Sequence, residues 1–224
     1  KERAPVDLIL ENIGFTTDNI QAYITKSFKQ RSKQEEQAKS LLAWLESHPS
    51  LKSLCTIPIF LELLCQVWIE EEQTLIEQGD LGFADLYQLI VDQLMKRFLK
   101  RLNSDDQKPK VSRQELHEKP AVQLAQHFLS LLAFEGMQTG KLMISGKSFE
   151  QCYDAARAAI KAKPDLQQPL LVLLEKGLDF SELLQGVGLL KAVGEHAEFE
   201  KKDYYFLHLT FQEYFAACYI MEGL

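Results

Sequence analysis

The sequence is poor in the residues that build disulfide frameworks and metal sites. It has four cysteines, which are Cys55, Cys65, Cys152 and Cys218, and none of them forms a Cys-x-x-Cys pair. Its five histidines form no His-Glu-x-x-His or similar ligand pattern. Structural zinc sites need closely spaced Cys and His ligands, and lasting disulfides need an oxidising compartment. We therefore expect no metal ion, and we interpret the cysteines as buried thiols in a reducing, cytoplasmic setting.

The chain also lacks an excess of positive charge and a long uninterrupted apolar run. Its formal net charge of -7 gives no general attraction to nucleic acid, which proteins bind through clustered Lys and Arg. One basic cluster, Lys96-Arg97 with Lys100-Arg101, has helical spacing, and we interpret it as a solvated helix face. The longest apolar stretch, at residues 54–69, is interrupted by polar side chains and is shorter than a membrane span of about 20 residues. We expect neither nucleic-acid binding nor a membrane span.

A phosphate-binding loop of the form Gly-x-x-x-x-Gly-Lys-Ser/Thr is missing as well. The backbone N–H groups of such a loop cradle phosphates, and its lysine neutralises them. The nearest approach runs from Gly140 to Ser148, but its first glycine comes one residue too early and the expected strand lies between the glycines. We interpret Ser148 as a helix cap and Lys147 as an exposed side chain. No nucleophile motif or convergent acid–base pair is present, so we expect this segment alone to catalyse nothing.

What the first 80 residues do contain is helical periodicity. A short strand is predicted at residues 6–13, and the turn at residues 79–82 closes this part. Three helices are predicted between them: one after Thr16 or Thr17, one from about Gln34 to Glu46, and one that starts at Pro58 and is apolar nearly all round from Ile59 to Gln73. These elements predict a helical bundle.

The remaining residues begin with helices and end with a hairpin. A long helix is predicted from Phe83 to Leu102, and the capping-box pattern Ser112 to Glu115 opens another that extends toward Phe134. The later elements are a short strand at residues 142–144, a helix at residues 148–163, strands at residues 189–193 and 204–207, and a largely buried last helix opened by Thr210-Phe211-Gln212-Glu213. The predicted fold is mainly α: a helical bundle followed by a winged-helix domain with a small β-hairpin.

One long segment resembles a known family. Residues 205–217, Tyr-Phe-Leu-His-Leu-Thr-Phe-Gln-Glu-Tyr-Phe-Ala-Ala, closely resemble the end of the winged-helix domain in NACHT NTPases, the STAND-type signalling proteins that include the NOD-like receptors. Three further pieces occur in the order of that family: Asn12-Ile13-Gly14-Phe15 leading to Tyr23-Ile24, Leu51 to Leu64 around Pro58, and Leu86-Tyr87. Together these pieces span nearly the whole chain.

The resemblance implies a domain organisation and a cofactor. It implies that residues 1–15 are the tail of a nucleotide-binding domain, residues 16–80 a helical domain and residues 81–224 a winged-helix domain. The chain begins at Lys1 without a signal pattern, so we expect a longer protein whose upstream domain holds the nucleotide loop and Mg²⁺. ADP or ATP is the implied cofactor, and the upstream domain of the same chain is the implied partner. Homo-oligomerisation on activation, in innate-immune or related signalling, is the implied output.

Two residues carry the nucleotide contacts that the resemblance implies. His208 stands where the family's histidine contacts the ADP phosphates, and Pro58 stands where a proline packs near the base. His208 also precedes a predicted helix start, where N–H groups and the helix dipole favour an anion. A histidine between a strand and a helix is more often structural, and a proline at a helix start is explained by its missing N–H alone.

The implied mechanism is a two-state switch. Bound ADP ties the winged helix to the nucleotide-binding domain, and exchange for ATP releases it for oligomerisation. Because a ligand shifts an equilibrium only through its differential affinity, a residue that contacts ADP in one state supplies that difference. We hypothesise that His208→Ala weakens ADP retention and raises spontaneous activation. The alternative is a winged-helix module that binds protein or DNA without nucleotide control, and salt-sensitive binding of duplex DNA through the basic cluster would support it.

Overall fold

The computed structural model describes residues 14–29, 34–79, 81–102, 112–162, 187–194 and 201–223. The chain divides into two compact units, unit 1 (Lys1–Phe83) and unit 2 (Ala84–Leu224). The strand predicted at residues 6–13, and most of the segment predicted as the tail of a nucleotide-binding domain, lie outside the described residues. The assignment of domain names to these units stays a prediction.

In its described part, unit 1 consists of helices. These are α1 (Thr17–Phe28), α2 (Gln34–Ser47), α3 (Pro49–Leu54) and α4 (Pro58–Gln78). The start of α1 is a capping box: the Asn19 N–H donates to the Thr16 hydroxyl, and the Thr16 N–H donates to Asn19 Oδ1. This reciprocal pair satisfies two N–H groups that a helix start would otherwise leave without partners. The three helices predicted for this part are confirmed.

The core of unit 1 lies between α1, α2 and α4. The side chains of Ile24, Phe28, Leu41 and Trp68 are fully buried there. Trp44 packs against Trp68 with 5.2 Å between the ring centroids. Burying side chains of this size contributes about 1.5–3 kcal/mol each relative to leaving them in water. Helix α4 is longer than predicted, and Glu71 within it has non-helical torsions (φ -128°, ψ 18°), a departure that no Pro or Gly marks in the sequence.

Unit 2 combines helices with one small sheet. Its described helices are α5 (Phe83–Leu102), α6 (Arg113–Glu118), α7 (Pro120–Thr139), α8 (Gly146–Lys161) and α9 (Leu209–Glu222), and its strands are β1 (Ile144–Ser145), β2 (Leu190–Val193) and β3 (Asp203–Phe206). The sheet is antiparallel with the order β1-β3-β2. In the β2–β3 hairpin Leu190 pairs with Phe206 and Val193 pairs with Asp203. The mainly α fold with a small β-hairpin is confirmed.

A stacked aromatic core joins the sheet of unit 2 to its helices. Phe149 of α8 stacks on Tyr204 of β3 with 4.0 Å between ring centroids, and Phe128 of α7 meets Phe149 edge-on at 4.8 Å. All three side chains are almost fully buried. Offset and edge-to-face pairs of this kind stabilise by about 0.5–1.5 kcal/mol beyond the area that they bury. The core therefore fixes the strand that leads directly into α9.

The helix predicted from Ser112 toward Phe134 is two helices. The capping box of Ser112 and Glu115 opens α6 as predicted, but α6 ends after one and a half turns at Glu118. Lys119 is extended (φ -71°, ψ 124°), and Pro120 starts α7. A proline disfavours helical torsions in the residue before it and lacks the N–H that a helix interior needs. The uninterrupted helix was therefore a wrong prediction.

Two helix starts also differ from prediction, and so does the burial of the last helix. Ser145 rather than Ser148 caps α8, since the Ser148 N–H donates to the Ser145 hydroxyl at 3.2 Å, while Lys147 is exposed as predicted. The predicted strand at residues 142–144 is displaced to Ile144–Ser145.

The last helix begins at Leu209, and it is not largely buried, because Ile220 and Met221 are 51% and 70% exposed. Among the described residues no helix is long and apolar enough to cross a membrane.

Candidate functional site

His208 lies in the short connection between β3 and α9. Its backbone is extended (φ -150°, ψ 144°), and it is the N-cap residue of α9. The residue before it is held to the sheet, because the Leu207 N–H donates to the Leu189 carbonyl at 2.9 Å. The side chain of His208 is half-buried. The strand and the helix thus hold this histidine from both sides, and the residue is partly exposed.

The imidazole of His208 caps the helix that follows it. Its Nδ1 accepts a hydrogen bond from the Thr210 N–H at 3.3 Å and lies 3.0 Å from the Thr210 hydroxyl oxygen. The Phe211 N–H donates to the His208 carbonyl at 3.2 Å. The prediction that Thr210 opens this helix as its cap was wrong, because the capping side chain belongs to the residue two positions earlier. The pattern Thr210-x-x-Glu213 resembles a capping box, but its threonine is already inside the helix.

This capping changes how the start of α9 could bind an anion. We expected the first N–H groups of the helix to favour a phosphate, and one of them, on Thr210, is occupied by Nδ1. The other ring nitrogen, Nε2, takes no part in the cap. In a neutral imidazole one nitrogen accepts and the other donates. The available polar group at this site is therefore the ring itself, with an N–H on Nε2.

Aromatic side chains hold the start of α9 in place. Phe211 and Phe215 are buried, and Phe215 lies 6.2 Å from Phe206 of β3 between ring centroids. Tyr87 of α5 meets Phe211 edge-on at 5.3 Å and stacks on Tyr214 at 5.4 Å. Aromatic pairs at 4.5–7 Å are in their favourable range. The first turn of α9, and with it His208, is therefore anchored on both the sheet and α5.

Helices α7 and α9 approach closely at a glycine. A Cβ added at Gly136 of α7 would overlap the Nε2 of Gln212, a buried side chain of α9, and would crowd Ile144 of β1. Real Cβ atoms do not come that close to a neighbouring heavy atom, so any side chain at this position forces α9 or Gln212 to move. Gly136 thus leaves room for the buried Gln212 side chain between α7 and α9.

A chain of polar contacts leads away from α9 on the side of α5. The Tyr214 hydroxyl donates to Gln88 Oε1 at 2.7 Å, and Gln88 Nε2 donates to Asp92 Oδ1 at 2.8 Å. The Asp92 carboxylate is 4% exposed, forms an ion pair with Arg113 at 2.8 Å and lies 3.0 Å from His117 Nε2. A charge this deeply buried is tolerated only when it is paired and hydrogen-bonded. This network clamps α6 and α9 to α5.

Little in the sequence predicts the contacts of Asp92. The only local signal is the spacing of Gln88 and Asp92, which are four residues apart on one helix face and therefore able to contact each other. Arg113 and His117 come from the next described helix, beyond residues 103–111, and nothing in the sequence pairs them with Asp92.

The basic cluster of α5 is only partly the solvated face that we expected, since Lys100 and Arg101 are exposed while Lys96 and Arg97 are half-buried.

Pro58 occupies the first position of α4 in unit 1, where its missing N–H costs nothing. The preceding residue, Ile57, is the N-cap and supplies no side-chain hydrogen bond. Pro58 itself is exposed. The loop before it is held by the chain at Gly14 and Phe15: the Phe15 N–H donates to the Thr56 carbonyl at 2.7 Å. The predicted placement of Pro58 at a helix start is confirmed, and its role toward a nucleotide stays a prediction.

Gly14 is required at that contact. Its φ is +73°, which L side chains rarely adopt, and a Cβ there would overlap the Thr56 carbonyl oxygen. Gly14 and Phe15, the described part of one resemblance segment, therefore contact Thr56 in the segment around Pro58. His208 and Pro58 belong to different units, so each is a separate candidate contact.

The cysteines have the character of inert thiols. Burial raises the pKa of Cys55 and of Cys65 to about 12 and that of Cys152 to about 11. Burial also raises the pKa of Cys218. Because the thiolate is the reactive form, none of the four is activated as a nucleophile. No group of three or more His, Cys, Asp or Glu side chains in the described part of the chain has the arrangement of a metal site.

Comparison of the sequence with models of known protein families and with curated proteins finds no match.

Proposed function

We propose that this chain is the regulatory, helical and winged-helix part of a NACHT-type signalling NTPase, in which His208 helps to retain ADP in a closed state. The resemblance of residues 205–217 to that family supports the proposal from the sequence side. The observation that carries it is that the two nitrogens of the His208 ring have different hydrogen-bonding roles. Nδ1 is engaged as the cap of α9, and Nε2 is left as a hydrogen-bond donor on a half-buried ring.

Such a donor suits a phosphate oxygen. Hydrogen bonds to charged groups contribute about 1.5–3 kcal/mol, more than those between neutral partners. The positive end of the α9 dipole lies beside the ring and favours negative charge by a further few tenths of a kcal/mol to about 1 kcal/mol. Pro58 would act differently, as an exposed apolar surface for packing near the base, because a proline at this position has no hydrogen to donate.

The switch follows from differential affinity. ADP that contacts His208 only in the closed state stabilises that state by the free energy of the contact, and exchange for ATP without the contact removes the bias. A bias of 1.5–3 kcal/mol corresponds to a shift of about 10-fold to 150-fold in the equilibrium. The released state would oligomerise and signal from the cytoplasm, with Mg²⁺ and the nucleotide loop supplied by the upstream domain.

The test is the nucleotide content of the full-length protein. After denaturation, chromatography identifies what was bound to the wild type and to His208→Asn. Asn is a favoured N-cap residue, so this variant keeps the helix start while it removes the ring. His127→Asn is the matched control, since His127 is another histidine of unit 2 and pairs with Glu222 at 3.3 Å on the opposite end of α9. We expect stoichiometric ADP from the wild type and the control and little from His208→Asn.

No nucleotide in any of the three proteins would sink the proposal. That result would favour the alternative of a winged-helix module that binds protein or DNA. A titration of duplex DNA at two salt concentrations then distinguishes the two, because binding through Lys100 and Arg101 must weaken as salt rises. Equal ADP in all three proteins would keep the nucleotide switch and remove His208 from it.

A further inference from the structure

The state of the His208 ring can be read from its hydrogen bonds. A backbone N–H is always a donor, so the nitrogen that receives it must carry a lone pair. Because the Thr210 N–H points at Nδ1, that nitrogen is unprotonated and the proton of the neutral ring sits on Nε2. This assignment needs no nucleotide. It follows from the contacts of α9 alone.

The hydroxyl of Thr210 reinforces the same state. Its oxygen lies 3.0 Å from Nδ1, and with a lone pair on Nδ1 the favourable arrangement points the hydroxyl hydrogen at the ring. The backbone N–H and the hydroxyl of Thr210 therefore both favour an unprotonated Nδ1. The first turn of α9, which carries Thr210, packs against Tyr87, whose ring meets Phe211 edge-on at 5.3 Å.

Tyr87 is itself held rigidly. Its side chain is 6% exposed and stacks on Tyr214 with an interplanar angle of 20°. Tyr214 in turn is fixed by its hydrogen bond to Gln88, which continues to the buried Asp92. These contacts hold the first turn of α9 in place, so that Thr210 donates to Nδ1 of His208 and the Nε2–H is left to donate.

We infer that Thr210 is a positioning residue that holds His208 in the Nε2–H tautomer and so presents one N–H to an anionic oxygen of the ligand. The identity of that ligand as a nucleotide phosphate rests on the proposed function, but the tautomer does not. A ring free to exchange between tautomers would offer a donor at Nε2 only part of the time, and the apparent affinity for an anion falls in proportion to the competent fraction.

The first readout is the tautomer itself. Long-range ¹H–¹⁵N NMR of the 224-residue chain labelled in its histidines shows whether each ring nitrogen carries a proton, and His208→Asn assigns the signals of His208. We expect a protonated Nε2 and an unprotonated Nδ1 in the wild type. Thr210→Val removes the hydroxyl at nearly constant shape but keeps the backbone N–H, so it should add a minor population protonated on Nδ1 to the wild-type tautomer. Thr210→Ser should restore the wild-type pattern.

The second readout is ADP retention in the full-length protein. Loss of one neutral hydrogen bond predicts about threefold to tenfold faster ADP release for Thr210→Val, with rescue by Thr210→Ser. Thr25→Val is the control, since that hydroxyl donates to the Gln21 carbonyl within α1 and belongs to unit 1. A wild-type ring protonated on Nδ1, or an unchanged tautomer in Thr210→Val, overturns the inference whatever the nucleotide result. The expected tautomers with no bound nucleotide would overturn the proposed function alone.

Discussion

Helices α4 and α9 both begin at a residue that the family resemblance places against a nucleotide, and the two starts are built by different means. At α4 the first residue is Pro58, the N-cap Ile57 contributes no polar side chain, and the backbone of Phe15 holds the preceding loop. At α9 the Nδ1 of His208 caps the helix, and the Nε2 of the same ring takes no part in the cap. The fixed torsion and missing N–H of proline are enough to explain the start of α4. The start of α9 has a ring nitrogen, Nε2 of His208, that the helix cap does not use. Only the second therefore points to a ligand from its own contacts.

The largest loss of stability should come from disturbing the backbone contact between Gly14 and Thr56, which lies just before α4. Gly14→Ala places a Cβ against the Thr56 carbonyl at a φ of +73°, and we expect a loss of about 2–3 kcal/mol in the free energy of unfolding. Gly140→Ala is the matched control, because its φ is +65° but no atom lies within 4 Å of the added Cβ. It should lose only about 1 kcal/mol. Chemical denaturation measures both, and equal losses would show that the contact between Gly14 and Thr56 does not support α4.

Alkaline pH should weaken the region around α4 next. The pKa of Cys55 and of Cys65 is near 9.0 when unfolded and about 12 when folded. The folded state therefore keeps these protons longer, and its stability falls as pH rises from about 9 toward 12. At pH 10 we expect a loss of about 1 kcal/mol for each thiol. The double variant Cys55→Ala with Cys65→Ala should flatten this part of the pH profile, and a profile identical to that of the wild type would refute the assignment.

The cap at α9 should be worth less, and it can be separated from any ligand role. His208→Ala removes the acceptor for the Thr210 N–H and should destabilise the chain by about 1 kcal/mol. His208→Asn should leave the free energy of unfolding within about 0.5 kcal/mol of the wild type, because Asn replaces the cap. Thermal denaturation of the nucleotide-free chain checks both. If Asn destabilises as much as Ala, the ring supports the fold by more than its cap.

The smallest effect should come from Pro58. Pro58→Ala keeps a residue that is well tolerated at the first helical position, and the loss of a rigid φ changes the unfolded state by about 0.4–1 kcal/mol. In the full-length protein we expect ADP affinity to fall by less than in His208→Asn, since only van der Waals contact is lost. A larger loss of ADP affinity from Pro58→Ala than from His208→Asn would reverse the ranking of the two contacts.

The contrast between the two starts also explains what could be predicted from the sequence. Signals carried by neighbouring residues were sufficient for the helix start after Thr16 or Thr17, the capping box at Ser112, the proline that opens α4 and the start of α5 at Phe83. Pro120 is a local signal of the same kind for a helix boundary. The apolar periodicity continues on both sides of it, and for that reason a single helix was predicted there. At α9 two capping patterns overlap, and the choice between His208 and Thr210 depends on where β3 ends.

Contacts between distant residues could not be predicted. The pairing of Asp92 with Arg113 and His117 joins separate helices, and the contact of Tyr87 with the start of α9 spans more than a hundred residues. The first depends on the packing of α6 against α5 and the second on the packing of α9 against α5, and no local pattern encodes either. The features that distinguish His208 from an ordinary cap therefore became visible only in three dimensions.

The central claim is that His208 caps α9 through one nitrogen and retains ADP through the other. The most direct measurement is the rate of ADP release from the full-length protein in the wild type and in His208→Asn, compared at matched melting temperatures. Loss of a hydrogen bond to a charged phosphate predicts release about 10-fold to 150-fold faster in His208→Asn. An unchanged release rate in a variant that keeps its stability would contradict the claim and leave His208 as a helix cap and nothing more.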